Sequence, residues 1–159
     1  MSWRTVAFVA SLLWIGTGAQ AAENPFFGTW MSNLIKSNMT NQALVGQHLL
    51  VVIAPYGDNG WTRVQIDVKD PRKSGREEHY SAKFDGTDYP TSGGDPRVIV
   101  LTRVDDRTID TVTKRNGKVA SHQRIVVSAD GKTMTSSGSG VNGRGEPYEN
   151  QVQVFDRVQ

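Results

Sequence analysis

The chain has 159 residues, 37% hydrophobic and 21% charged, with 18 Lys and Arg against 16 Asp and Glu. This is the composition of one ordinary globular domain. Near-balanced charge with no basic block argues against a nucleic-acid binder, which must neutralise phosphates. The absence of cysteine excludes disulfides, zinc knuckles, thiol nucleophiles and a lipid-anchored N-terminal cysteine.

Residues 1–21 read as a signal peptide. Arg4 is followed by an apolar run from Val6 to Ile15, interrupted by Ser11 and broken by Gly16, Thr17 and Gly18. The run is too short to span a bilayer, and Ala19-Gln20-Ala21 places small residues where a signal peptidase needs them. The expected product begins at Ala22, forms one domain over 22–159 and has no stable membrane insertion. A cysteine-free exported chain of this size fits a bacterial periplasm or medium, so a periplasmic or secreted location is expected.

From residue 28 onward, two-residue alternation and turn residues predict antiparallel strands at 28–34, 48–54, 61–68, 78–84, 97–104, 108–114, 119–127, 133–139 and 149–157. The links carry hairpin chemistry: Asp58-Asn59-Gly60, Asp85-Gly86, Asp105-Asp106, Asn116-Gly117, Asp130-Gly131 and Asn142-Gly143. Residues 37–47 are left for a short helix or a lid. Short links make sequence neighbours pair in space, and so long a meander closes to remove its two open edges. The fold class expected is all-β, an up-and-down meander of nine or ten strands forming a barrel or half-barrel.

Three stretches carry a family resemblance. Asn24-Pro-Phe-Phe-Gly28-Thr29-Trp30, with Asn33, Lys36 and Ser37 after it, resembles the opening of small exported bacterial proteins of lipocalin-like, calycin type. Residues 82–90 resemble the central hairpin of that group, and Asp130 to Thr135 with Val154 to Arg157 resemble its closing strands. The resemblance implies a barrel whose Gly28-x-Trp30 element closes one end, with an arginine from a late strand across the Trp30 ring. Arg157 is the first candidate for that arginine and Arg124 the second. The resemblance implies a binding role but no chemistry. The chain departs from lipocalins in lacking their cysteines and a C-terminal helix before Gln159.

Candidate chemistry reduces to turns and solvated loops. Gly138-Ser-Gly140-Val-Asn-Gly143 has the lettering of a dinucleotide fingerprint, but Gly145 and Pro147 stand where its helix must open. Asp105 and Asp106 are adjacent, and neighbours on an extended chain point to opposite sides. Residues 69–78 interleave basic residues with Asp70, Glu77 and Glu78 and hold no aromatic to stack on a base. His48, His79 and His122 fall on separate strands with no ligand-spaced partner. No catalytic set, metal or cofactor is therefore expected, and the protein is read as a non-enzyme.

The leading function is a non-catalytic binding module for a small, partly apolar molecule held by a monomeric barrel. The alternatives are an envelope-protein interaction or inhibitor module with a filled barrel, and an enzyme of unknown reaction. Alternation on the third to fifth strands nominates Val64, Ile66, Val68, Tyr80, Ala82, Phe84, Val100 and Thr102 as the wall of the lumen. Gly28, Trp30 and Arg157 are nominated for structural closure.

Overall fold

The computed structural model describes residues 24–68, 77–93 and 96–158. The expected leader and most of the basic 69–78 stretch lie outside the described residues. Ten strands run in chain order: β1 (Gly28–Ser32), β2 (Leu49–Pro55), β3 (Gly60–Asp67), β4 (Glu78–Lys83), β5 (Tyr89–Pro90), β6 (Val98–Asp105), β7 (Thr108–Arg115), β8 (Lys118–Val127), β9 (Thr133–Val141) and β10 (Pro147–Arg157). They form one antiparallel sheet in the order β4-β3-β2-β1-β10-β9-β8-β7-β6-β5. The meander is thus joined to itself through β1 and β10, and all nine expected strands are present. The tenth, β5, has two residues and too little pattern to be read from sequence.

The seam lies between β4 and the β5–β6 pair. Among the described residues no ladder crosses it, and isolated bridges join His79 to Ser92 and Asp85 to Thr102. The Glu78–Arg97 ion pair also spans it, at 2.6 Å. The result is a nearly closed barrel.

Turn chemistry fixes the register. Asn116 and Gly117 both take positive φ, 50° and 73°, as a two-residue hairpin between strongly twisted strands requires. At the β8–β9 link, Asp130 accepts from the Lys132 amide at 3.0 Å and from the Ser128 hydroxyl at 2.6 Å. A bulge between Tyr148 and Gln151 in β10, with Asn150 at φ 52°, turns both flanking side chains inward, where they are buried.

The face of each strand is set by its bulkiest residue. Trp61 is fully buried, and alternation from it sends Arg63, Gln65 and Asp67 inward, where they line the interior. Val64, Ile66 and Val68 consequently face outward, which corrects their assignment to the lumen. Val64 lies in an outer row with Thr29, Val52 and His79, and Val68 is 46% exposed. On β6 the buried pair Ile99 and Leu101 takes the inner face, so Val100 and Thr102 are outward too. A one-residue change of parity reverses every side chain on a strand, and a Trp or Leu loses more by exposure than a Val.

Candidate functional site

The two ends of the barrel differ in chemistry. At the end where β1 begins, Phe26, Trp30, Ile53, Trp61, Ala82, Phe84, Leu101, Ile109, Val127, Met134 and Phe155 form one buried cluster. Trp61 meets Phe26 and Phe84 edge-on, with ring centroids 5.5 and 5.3 Å apart, a favoured aromatic geometry. This floor is solid: its large side chains fill the lumen there.

Closure of the floor runs through the opening motif. The Trp30 indole N–H donates to the Phe26 carbonyl at 3.0 Å. Trp30 and Arg157 are directly paired across β1 and β10, and the Arg157 guanidinium carbon lies 4.1 Å from the Trp30 ring centroid. The same guanidinium donates to the carbonyls of Pro25, Phe27 and Gly131 at 2.6–2.7 Å. Gly28 has φ 128°, a conformation that favours glycine, and a Cβ there would sit 2.5 Å from Arg157 Nη1, so a side chain at this position would displace the guanidinium from its present seat. Arg124, the second candidate, instead makes a two-pronged contact with Asp110, at 2.7 and 2.8 Å, on the exposed side.

The motif's second half works at the other end of β1. Asn33 donates to Asp156 at 2.6 Å and Lys36 to the other carboxylate oxygen at 3.0 Å. These two contacts, the Asn33 amide first, hold the Asp156 carboxyl below its ordinary range. The Ser37 hydroxyl accepts from the Val154 amide at 2.9 Å.

Above the floor is a cavity of about 760 Å³, within the range of small-molecule sites. Leu49, Tyr80, Ile99 and Ile125 belong to its wall, while Trp30, Trp61, Leu101, Ile109, Met134 and Phe155 do not. The rest of the wall is largely polar, with Arg63, Gln65, Thr111, Gln123 and Gln153 among its members. A Cβ at Gly138 would strike the His122 carbonyl and one at Gly140 the Ala120 carbonyl, so β8 and β9 approach in a way that excludes side chains there.

Residues 38–47 roof this cavity. They form turns and not a helix, closed by hydrogen bonds from the Leu44 amide to the Asn41 carbonyl and from the Gln47 amide to the Leu44 carbonyl. The Asn41 amide donates to the Gln151 side chain at 3.0 Å, and Asn38 bridges Val152, which pins the roof to β10. Asn41, Ala43, Leu44 and Gln47 face the cavity.

Among the described residues Arg63, Arg97, Arg115 and Arg144 line the space, together with the carboxylates of Asp67 and Glu78. Arg97 is matched by Glu78. Arg63 donates to the neutral Gln65 side chain at 2.7 Å. Burial pushes the Tyr80 phenol above its usual value, against the opposing pull of the Arg63 guanidinium, so this hydroxyl is a neutral donor at physiological pH.

Of the nominated lumen residues, the structure brings Tyr80 to the cavity wall and Ala82 and Phe84 to the packed floor; Val64, Ile66, Val68, Val100 and Thr102 lie outside. Arg63, Gln65, Thr111, Gln123 and Gln153 were not anticipated. The available signal was parity counted from Trp61, which the run of valines obscured. Gly138 to Gly143 runs as the end of β9 and a turn. There the Asn142 side-chain carbonyl accepts from the Arg144 and Glu146 amides at 2.9 and 3.1 Å. Among the described residues no three His, Asp or Glu side chains come together as a metal site, and no helix is long and apolar enough to cross a membrane.

No protein-family model and no curated protein matches the sequence. Solved structures match in fold. A fatty-acid-binding protein of Schistosoma mansoni in complex with arachidonic acid superposes with a TM-score of 0.62 at 16% identity, covering 87% of this chain and 100% of that one. Fatty-acid-binding protein 1 of Echinococcus granulosus gives 0.61 at 12% identity, covering 85% and 98%. The wild-type fluorescent protein UnaG gives 0.57 at 14% identity, covering 84% and 97%. At these identities the likeness is one of fold, an antiparallel, nearly closed β-barrel.

Proposed function

We propose that the protein is an exported, non-catalytic barrel that holds a small, partly apolar molecule between its packed floor and the turn-built roof. The observation that carries this reading is the cavity of about 760 Å³ inside the strands. A barrel acting only through its outer surface has no need of such a space, because side chains fill a small barrel readily. The neighbours named as fatty-acid-binding proteins support the same reading by analogy of fold. Export rests on Ala19-Gln20-Ala21 behind the apolar run; N-terminal sequencing of secreted protein should return Ala22, and recovery of Met1 would reject it.

Binding is tested by titration with N-phenyl-1-naphthylamine, a neutral dye whose emission rises in apolar surroundings, on wild type and Thr111→Trp. Thr111 is buried in β7 and lines the cavity, so the indole should occupy the space. Saturable wild-type binding lost in the folded variant is the expected result. Absence of saturable binding by this dye and by a broad panel of small amphiphiles would overturn the reading in favour of a surface-interaction module.

A further inference from the structure

We propose that the ligand of this cavity is a compact organic anion, with an aromatic or branched body and a carboxylate or sulfonate-like group received by Arg63 beside Tyr80, and not a long acyl chain. The proposal deepens the binding reading above and rests on it.

Two observations set the ligand's chemistry. The first is the unmatched charge of Arg63. A guanidinium carries five N–H donors and stays protonated. Here one donor is taken by the Gln65 carbonyl oxygen, and no carboxylate among the described residues lies in ion-pair reach of Arg63. Its neighbour across the β3–β4 ladder is Tyr80, which also lines the cavity. Asp67 is two inward positions along β3, and Glu78 is engaged by Arg97. The Arg63 guanidinium therefore keeps donors for an added anion. Two oxygens of a carboxylate or sulfonate match a guanidinium edge, and such charge-assisted pairs are the strong ones.

The second observation is the depth of the apolar space. The aliphatic wall consists chiefly of Leu44, Leu49, Ile99 and Ile125, a belt one residue deep above the floor. Below it Trp30, Trp61, Leu101, Ile109 and Phe155 are each at most 1% exposed and packed on one another. An extended chain of many methylenes has no apolar channel to follow; a body the size of one or two rings rests on the belt and leaves its charged end at Arg63.

The test uses a matched pair of dyes on the purified protein. 8-Anilinonaphthalene-1-sulfonate and N-phenyl-1-naphthylamine share one skeleton and differ by the sulfonate. The sulfonate dye should bind at least tenfold tighter. Arg63→Gln should weaken it about 10- to 100-fold, the loss of one charge-assisted contact, and leave the neutral dye within twofold; Arg63→Lys should recover part of the affinity. As competitors of the sulfonate dye, 1-naphthoate should act at lower concentration than palmitate. Equal binding of the two dyes by wild type, which needs no variant to fold, overturns the anion assignment and leaves the binding reading standing. So does an equal effect of Arg63→Gln on both dyes. Stronger competition by palmitate overturns the compactness. Failure of both dyes to saturate removes the binding reading, and this proposal with it.

Discussion

Replacing Arg157 with methionine keeps a long apolar stem and deletes the guanidinium that ties β10 to the segment before β1. That group donates to the carbonyls of Pro25, Phe27 and Gly131 and lies 4.1 Å over Trp30. Hydrogen bonds from a charged donor are worth about 1.5 kcal/mol each at the low end, and the stacked cation adds about 1 kcal/mol. Side-chain entropy regained by the variant offsets roughly 1.5 kcal/mol. The expected loss is therefore about 4 kcal/mol, a large share of the roughly 5–15 kcal/mol available to a domain. Urea unfolding followed by tryptophan emission should show a lower midpoint at unchanged slope. Gly28→Ala extends the test. In wild type its Cβ strikes the guanidinium, so the substitution should cost less in the Arg157→Met background, where only the φ of 128° remains to be strained. A loss under about 1 kcal/mol for Arg157→Met, or strict additivity of the two changes, would refute the clamp.

Gly138→Ala pushes a Cβ into the backbone of β8 at His122 and Gln123 and should destabilise by about 2–3 kcal/mol, the range of overpacking with no room to relax; a neutral result in the same unfolding assay would mean that the strands do not approach so closely. Glu78→Gln removes the partly buried ion pair across the seam, at about 1–2 kcal/mol. Hydrogen exchange should then quicken first at the paired amides of His79 and Ser92, and an even increase over the whole barrel would contradict a local latch. The Asp156 carboxyl titrates lower in the folded chain than in the unfolded one, so its stabilisation is present above about pH 4 and disappears as pH falls through the folded value. Asp156→Asn should consequently be less stable than wild type at pH 7, with the gap narrowing in acid; a gap that widens on acidification would reverse the assignment.

Local pattern and turn chemistry determined the meander. Nine strands and the Asn116-Gly117 turn follow from two-residue periodicity and residues that tolerate positive φ, both properties of neighbours in sequence. The partnership of Trp30 with Arg157 was legible for a different reason: it sits in the motif that carries the family resemblance. The interior was not legible, because the face of a strand depends on which of two alternating sets loses more by exposure. On β3 the valines suggested one parity and Trp61 imposed the other, moving Arg63, Gln65 and Asp67 inside. The division of the lumen is also a product of the assembled sheet. Residues as distant in sequence as Trp30, Leu101 and Phe155 meet at one end and Arg63, Gln123 and Gln153 at the other. Each strand carries only one or two inward positions at either level, too few to mark a boundary between packed floor and open cavity until ten strands are aligned side by side.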